Sequence, residues 1–562
     1  MVNFRSASVS IILTIGLLSL LTGLAYAQLW HQFAHPNQPH PGTNGGITIP
    51  ELFADPNAVV QLPVLVVLME FVDVAHETQH DVAFFQDLMF GEGRPSGRPS
   101  VAQVYRENSN GRLLLTPATA GDQDGTPDGI VGWVTAQDEM ACRLSDLSCV
   151  YNLSENQCLA QGGEWGSFMY WWCDIHAKRA EGIRVADPFF NYSVYDTNND
   201  NIITSDELIV VLVNADDTAC DQHVSHPNLP ACTDQPGGNV RPTNPSQVPV
   251  EEGQLEVHQA MAGCIEQADV GVFAHELGHQ VLGLGDLYEA TPNTHVADGY
   301  LFEDATWYPP PPGPYSIMDS YRPDRVNHLD PWAKIHLGFV KPLVITHDGT
   351  YSLYDAETER SFSTQERQPE AMIIYDPLRD DAYKEYFILE NRNQAELDDQ
   401  GLAVWLINEN GSNWPSGLDL RKVIRLIRRE GHWPTLWYDD NMALWNGIDD
   451  TQGYDLTASS TPRNTSWTDG KSSYIEIYDI SEAGPVMTFK VQMPPIFVDR
   501  SNTGFENGSQ AKPFNMVSEG VAAVPEPPRT IRIAGGSYPE TLVINTPCTL
   551  KGWRNGNAVI GQ

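Results

Sequence analysis

The spacing of apolar positions changes along the chain. Residues 62–71, "LPVLVVLMEF", form a short apolar run rich in β-branched side chains, the pattern of a strand buried on both faces. "DVAFFQDLMFG" follows with helical spacing, and "SVAQVYRENSNGRLLL" reads as a helix, an Asn/Gly turn and a strand. In "VFAHELGHQVL" the apolar Phe273, Leu277 and Val281 recur one turn apart on one helix face. Helices and strands therefore interleave over residues 59–342, which predicts an α+β domain with α/β-like alternation. From residue 343 the period shortens to two: "GTYSLYD", "EYFILENR", "GLAVWLIN", "YIEIYDI" and "VMTFKVQM" predict an all-β domain over 343–494. The Pro-containing "MPPIFVDR" marks a junction. In residues 495–562, "TIRIAGGSYPETLVINTPCTLKGW" shows short strands separated by Gly, Asn and Pro, as in a coil of a parallel β-helix. About three repeats are needed to bury a solenoid core, so this segment must pack on the preceding domain or belong to a longer solenoid.

The first residues set the expected compartment. Arg5 precedes an apolar run, Ile11 to Leu24, and small residues follow at Ala25 to Ala27. This is the pattern of a signal peptide spanning 1–27, and the run is shorter than the ~20 residues an uncleaved anchor needs. Residues 28–58 are rich in Pro, His and Gly and read as a linker or short pro-segment. A secreted, extracellular protein without a membrane span is expected.

Composition adds three constraints. At 562 residues the chain exceeds one ordinary core, and 41% hydrophobic residues argue against general disorder. A formal net charge of −40 argues against nucleic acid or anionic membrane as a partner. Eight cysteines suit an oxidising compartment. Cys142, Cys149, Cys158 and Cys173 crowd a stretch without a CxxC pair, which favours disulfides stapling an insertion at 140–175 over a metal site. Cys220 and Cys232 suggest a further bridge, leaving Cys264 and Cys548.

Candidate chemistry concentrates in "AHELGHQVLGLGDLYE". His275 and His279 lie one turn apart on the helix face away from the apolar stripe, both able to reach one metal ion. Glu276 sits about 100° round from His275, beside such a metal but not aimed at it, which suits a general base acting on metal-activated water. Gly283 and Gly285 end the helix, glycine tolerating a left-handed cap, and the chain can return Asp286 as a third ligand. Two imidazoles, one carboxylate and an open position describe a catalytic zinc site. Glu289 is the alternative third ligand. An H-[DE]-x-x-H arises by chance about 0.06 times in a chain of this composition, so a helix with merely polar surface histidines is the weaker reading.

With "YSIMDS" and "HLDPWAKIHLGF" downstream, this stretch resembles the metzincin clan of zinc peptidases, and within it the immune-inhibitor-A-like family of secreted bacterial metalloproteases. "VLVVLMEFVD" and "YRENSNGRLLL" resemble that family's first strands, and "EYFILENRNQ" with "GLAVWLINEN" its post-catalytic β domain. The likeness spans residues 60–492. It implies a metzincin catalytic domain, with Met318 as the Met-turn residue. One departure stands out. The family's glycine three residues after the second histidine, and its third ligand three residues later, each fall one position late here, because Leu282 and Gly285 occupy those places. Tyr321 is expected to be structural.

A second metal is suggested by "DTNNDNIITSDE". Asp196, Asn198 and Asp200 hold the first, third and fifth places of a twelve-residue calcium loop, with the Ile202 carbonyl, Thr204 and Glu207 completing it. Asn201 stands where glycine is usual, and asparagine is the next-best residue for positive φ. An Asx-rich turn that binds nothing is the plain alternative. "DQDGTPDG", from Asp122 to Gly129, reads equally well as a simple turn. The expected function is a secreted zinc metalloendopeptidase acting on protein or peptide substrates, with Glu276 as base and calcium as a structural ion. The alternative is a catalytically silent, protease-like adhesin or glycan-binding protein whose C-terminal β segments contact a surface.

Overall fold

The structure, a computed structural model, describes residues 58–72, 74–92, 98–120, 128–136, 140–144, 149–150, 154–167, 182–215, 248–249, 256–257, 261–264, 268–284, 287, 315–319, 328–365, 367–379, 384–393, 399–409, 424–429, 444–447, 455–457, 460, 465–524 and 528–561. The expected signal peptide and all but the last residue of the expected linker lie outside these residues.

Five parallel strands make the first sheet. The strand Val60–Phe71 lies inside it and pairs on one edge with Leu113–Pro117 and then Ile130–Ala136. Its other edge pairs with Ile209–Asn214, and Met261–Cys264 lies beyond that. Parallel neighbours need crossover connections, and the helices Val82–Phe90 and Val101–Asn108 supply one of them. Both helices start at side-chain caps: Asp81 accepts from Phe84 N, and Ser100 forms a capping box with Gln103.

The pleat sends alternate residues of Val60–Phe71 into two cores. Leu62, Val64, Val66 and Leu68 meet the helices, whereas Leu65 and Val67 pack with Ile183, Phe190, Tyr192, Val210 and Leu212. Each fully buried side chain contributes about 1.5–3 kcal/mol, so a one-residue slip of register would exchange both sets.

The strands between residues 343 and 492 form a sheet sandwich. One sheet runs Leu343–Ile345, Ala371–Ile374, Glu385–Arg392, Gly401–Asn408 and Ile424–Leu426, antiparallel after the first pair. The other joins Gly349–Tyr354, Val486–Gln492 and Glu476–Tyr478. Met372, Phe387, Leu389, Val404 and Leu406 fill the space between them. The opposite face of the larger sheet, Ile373, Ile388, Ala403, Trp405 and Ile407, joins the same core as Phe273, Leu277 and Val281. Packing therefore runs continuously across residue 342. A short helix, Phe362–Gln365, interrupts the otherwise β-rich region.

The expected cysteine-rich insertion contains a small antiparallel sheet of Met140–Arg143, Cys149–Val150 and Glu164–Ser167, with Cys142 bonded to Cys158. Cys173, Cys220 and Cys232 lie outside the described residues. At the C-terminal end, Ile496–Val498, Arg529–Tyr538 and Cys548–Ile560 stack in parallel, as a β-helix coil does. A helix, Val517–Ala522, lies in the connection and was not anticipated. This segment packs on the sandwich: Arg529, buried, donates to Pro494 O and Thr346 O, both at 2.9 Å. Among the described residues no helix is long and apolar enough to cross a membrane.

Candidate active site

The helix Val270–Leu282 carries the histidines. Asp269 caps its start by accepting from Gly271 N at 2.8 Å, which satisfies one of the orphan amides of the first turn. Phe273, Leu277 and Val281 are fully buried, so the apolar stripe fixes the rotation of the helix and turns His275 and His279 the other way. Gly283 ends the helix at φ 65°, the left-handed cap expected there. The same turn carries Leu284 O back to within 2.6 Å of His279 Nδ1.

His275 is held from elsewhere. Its Nδ1 lies 2.8 Å from Ile317 O, in the turn Tyr315–Asp319. A carbonyl oxygen only accepts, so both Nδ1 atoms carry the hydrogen, and both rings present the lone pair at Nε2. Those two Nε2 atoms stand 3.2 Å apart, with the rings at 89°. Two acceptors at that distance repel each other unless a proton or cation lies between them. Two nitrogens at about 2.0–2.1 Å from one tetrahedral zinc would be roughly 3.3–3.4 Å apart, so the pair fits zinc. A carbonyl behind each ligating imidazole is also the usual support of such a site.

Met318 forms the flank of this site away from Glu276. A Cβ built on Gly278 would sit 2.6 Å from Met318 Sδ, so the thioether packs directly on the helix at Gly278. Only glycine admits that approach. Met318 O also accepts from Leu287 N at 2.8 Å, so the turn grips the chain just beyond the helix as well. On the other flank Glu276 is buried, 6% exposed. The buried Tyr105 hydroxyl lies on the Met318 side of the helix, 3.7 Å from the same Cβ position on Gly278, and donates to Ala274 O at 2.7 Å. Burial, and then the Glu276 carboxylate, push the Tyr105 phenol well above its usual range, so it stays neutral.

Asp286 and Glu289, the alternatives for the third ligand, lie outside the described residues, as does Tyr321. Among the described residues no group of three or more His, Cys, Asp or Glu side chains is arranged to hold a metal ion.

A second H-E-x-x-H went unremarked in the sequence pattern: "HETQH", His76 to His80. It adopts a turn, not a helix. His76 Nδ1 lies 2.8 Å from Glu70 Oε2 and its ring stacks on Trp133 at 4.4 Å. His80 lies against Phe84. Asp81 caps the following helix, which stops a helical reading of the motif, and Asp81 was the available signal.

In the candidate calcium loop, Asn201 takes φ 67°, the positive value expected for the glycine position. Asp196 accepts from Asp200 N and Asn201 N, Asn198 Oδ1 from Asp200 N, and Asp200 from Ile202 N. Glu207 accepts from Thr197 N and Asn198 N through one oxygen and from Thr204 N through the other. The loop thus wraps around its own acidic side chains and leads into Ile209–Asn214. Of "DQDGTPDG", Asp128 is described and closes a simple turn on Ile130 N.

No family model matches this chain, and no curated protein matches it.

Proposed function

We propose that the protein is a zinc-dependent metalloendopeptidase of metzincin type, exported from the cell. The carrying observation is the imidazole pair: two Nε2 atoms 3.2 Å apart, each ring braced at Nδ1 by a backbone carbonyl. His275 and His279 would hold the metal, and Asp286 is the favoured third ligand. Zinc supplies Lewis acidity, lowering the pKa of water towards about 7 and polarising a carbonyl. Glu276, on the adjoining helix flank, takes the proton of the attacking water and returns it to the leaving amine. Tyr105, whose hydroxyl donates to Ala274 O, supports the helix from the Met318 side. The loop Asp196–Glu207 would bind calcium as a structural ion, and the C-terminal parallel strands would contact glycan or a surface.

The test separates ligand from base. Glu276→Gln should retain stoichiometric zinc and digest casein about 10²–10⁴-fold more slowly than the wild type. Digestion at the wild-type rate with zinc in place would exclude the glutamate mechanism, and a wild-type protein that holds no zinc would exclude the class.

A further inference from the structure

The turn that carries Ile317 O and Met318 is held by the sheet sandwich. Arg392 ends the strand Glu385–Arg392 and is fully buried. Its Nη2 donates to Tyr315 O at 3.3 Å and to Leu329 O at 3.1 Å, while Nε donates to Glu390 Oε2 at 2.7 Å. One planar guanidinium thus clasps two chain segments, which are tied to each other where Ile317 N donates to His328 O at 3.0 Å. The Tyr315 hydroxyl donates to Asp399 Oδ2 at 2.6 Å, and the Ser316 hydroxyl to Asp330 Oδ2 at 2.9 Å. Met318 N in turn donates to Ser316 Oγ at 3.2 Å.

Every residue from 315 to 318 is thus fixed from outside the histidine helix. Two residues along the turn from the carbonyl that Arg392 grips lies the carbonyl that orients His275. Buried ion pairs are poor general stabilisers, since apolar replacements often match them, and their best-attested use is to specify one geometry. Arginine suits that use because its fixed fork bridges two acceptors that a lysine ammonium cannot hold in one plane.

We propose that Arg392 is a positioning residue of the metal centre, acting through the Tyr315–Met318 turn to aim the His275 ring at the site it shares with His279. The sandwich is then part of the catalytic unit and not an accessory. This rests on the zinc reading above.

The experiment compares the full-length wild type, Arg392→Lys and Arg529→Lys. Arg529 is the control because it is also buried, in the C-terminal sheet that packs on the sandwich, and donates to two carbonyls, but not to the turn. Zinc affinity is measured by competition with a chromophoric chelator, and ligand geometry by the visible absorption of the cobalt-substituted proteins. Arg392→Lys should weaken zinc at least tenfold and alter the cobalt spectrum, with Arg529→Lys matching the wild type in both. Should Arg392→Lys fail to fold, Tyr315→Phe removes the bond to Asp399 while keeping the ring, and it should weaken zinc several-fold with the same spectral change. Wild-type zinc affinity and cobalt spectrum in a folded Arg392→Lys, or in Tyr315→Phe where Arg392→Lys does not fold, would overturn the proposal, as would equal losses in the Arg529 control. Absence of zinc binding by the wild type would instead refute the metallopeptidase reading itself.

Discussion

Replacing Gly278 by alanine probes the contact between the histidine helix and the Met318 turn. The new Cβ would lie 2.6 Å from Met318 Sδ and 3.4 Å from its Cε. Ordinary contacts of this kind fall at about 3.5–4.0 Å, so the sulfur sits about 1 Å too close. Met318 is 1% exposed and has little room to yield, and overpacking of this size costs about 1–3 kcal/mol. Against that, alanine in mid-helix is worth about 1 kcal/mol over glycine. The net expectation is a loss of about 0–2 kcal/mol. Because that range touches zero, the decisive quantity is the coupling with Met318→Ala. On its own, Met318→Ala should cost about 2–5 kcal/mol by leaving a cavity. Combined with Gly278→Ala it removes the clash, so the double variant should be less destabilised than the sum of the singles by about 1–3 kcal/mol. Urea denaturation midpoints of the four proteins give all terms. A Gly278→Ala variant more stable than wild type, with additive behaviour in the double variant, would show that Met318 does not pack against Gly278.

Two further outcomes are expected. Burial pushes the Glu370 carboxyl from 4.5 up to about 7, so between those pH values the folded protein holds a proton that the unfolded chain has lost. Stability should therefore fall as pH rises through that window, by at most about 3 kcal/mol, and Glu370→Gln should remove this part of the dependence. Urea midpoints at pH 5 and 8 check it, and an identical pH dependence in the variant counts against a protonated Glu370. Calcium at a hundredfold excess over its Kd should raise wild-type stability by about 2.7 kcal/mol, and Asp196→Ala with Glu207→Ala should abolish the gain. A wild-type melting temperature indifferent to calcium would retire that site.

Local features were readable from the chain because their causes are local. The unbroken apolar run Val64–Met69 signals burial on both faces, and the 3.6-residue spacing of Phe273, Leu277 and Val281 fixes where His275 and His279 point. Gly283 and Asn201 adopt left-handed backbone because few other residues can. Residues acting across the fold left no local mark. Nothing in its strand's alternation shows that Arg392 reaches the Met318 turn, and no spacing indicates that Ile317 O orients His275. Motif spelling also proved less discriminating than its chance frequency implied, since "HETQH" has the same letters and folds as a turn. What separates the two is the apolar stripe behind one and the helix cap closing the other.

The strand Val60–Phe71 has a consequence for how the protein is made. It is the earliest described strand to leave the ribosome, yet its partner Ile209–Asn214 begins to pair with it about 145 residues later. At about 5–20 residues per second, its apolar edge waits roughly 7–30 s for that neighbour. Twelve residues of high β-propensity with a single charge, Glu70, are a template for pairing with other nascent chains during that interval. Production should therefore be limited by synthesis rate and chaperone supply before it is limited by the stability of the finished fold. A factor that shields extended segments should raise the soluble yield more than any substitution that strengthens the native core.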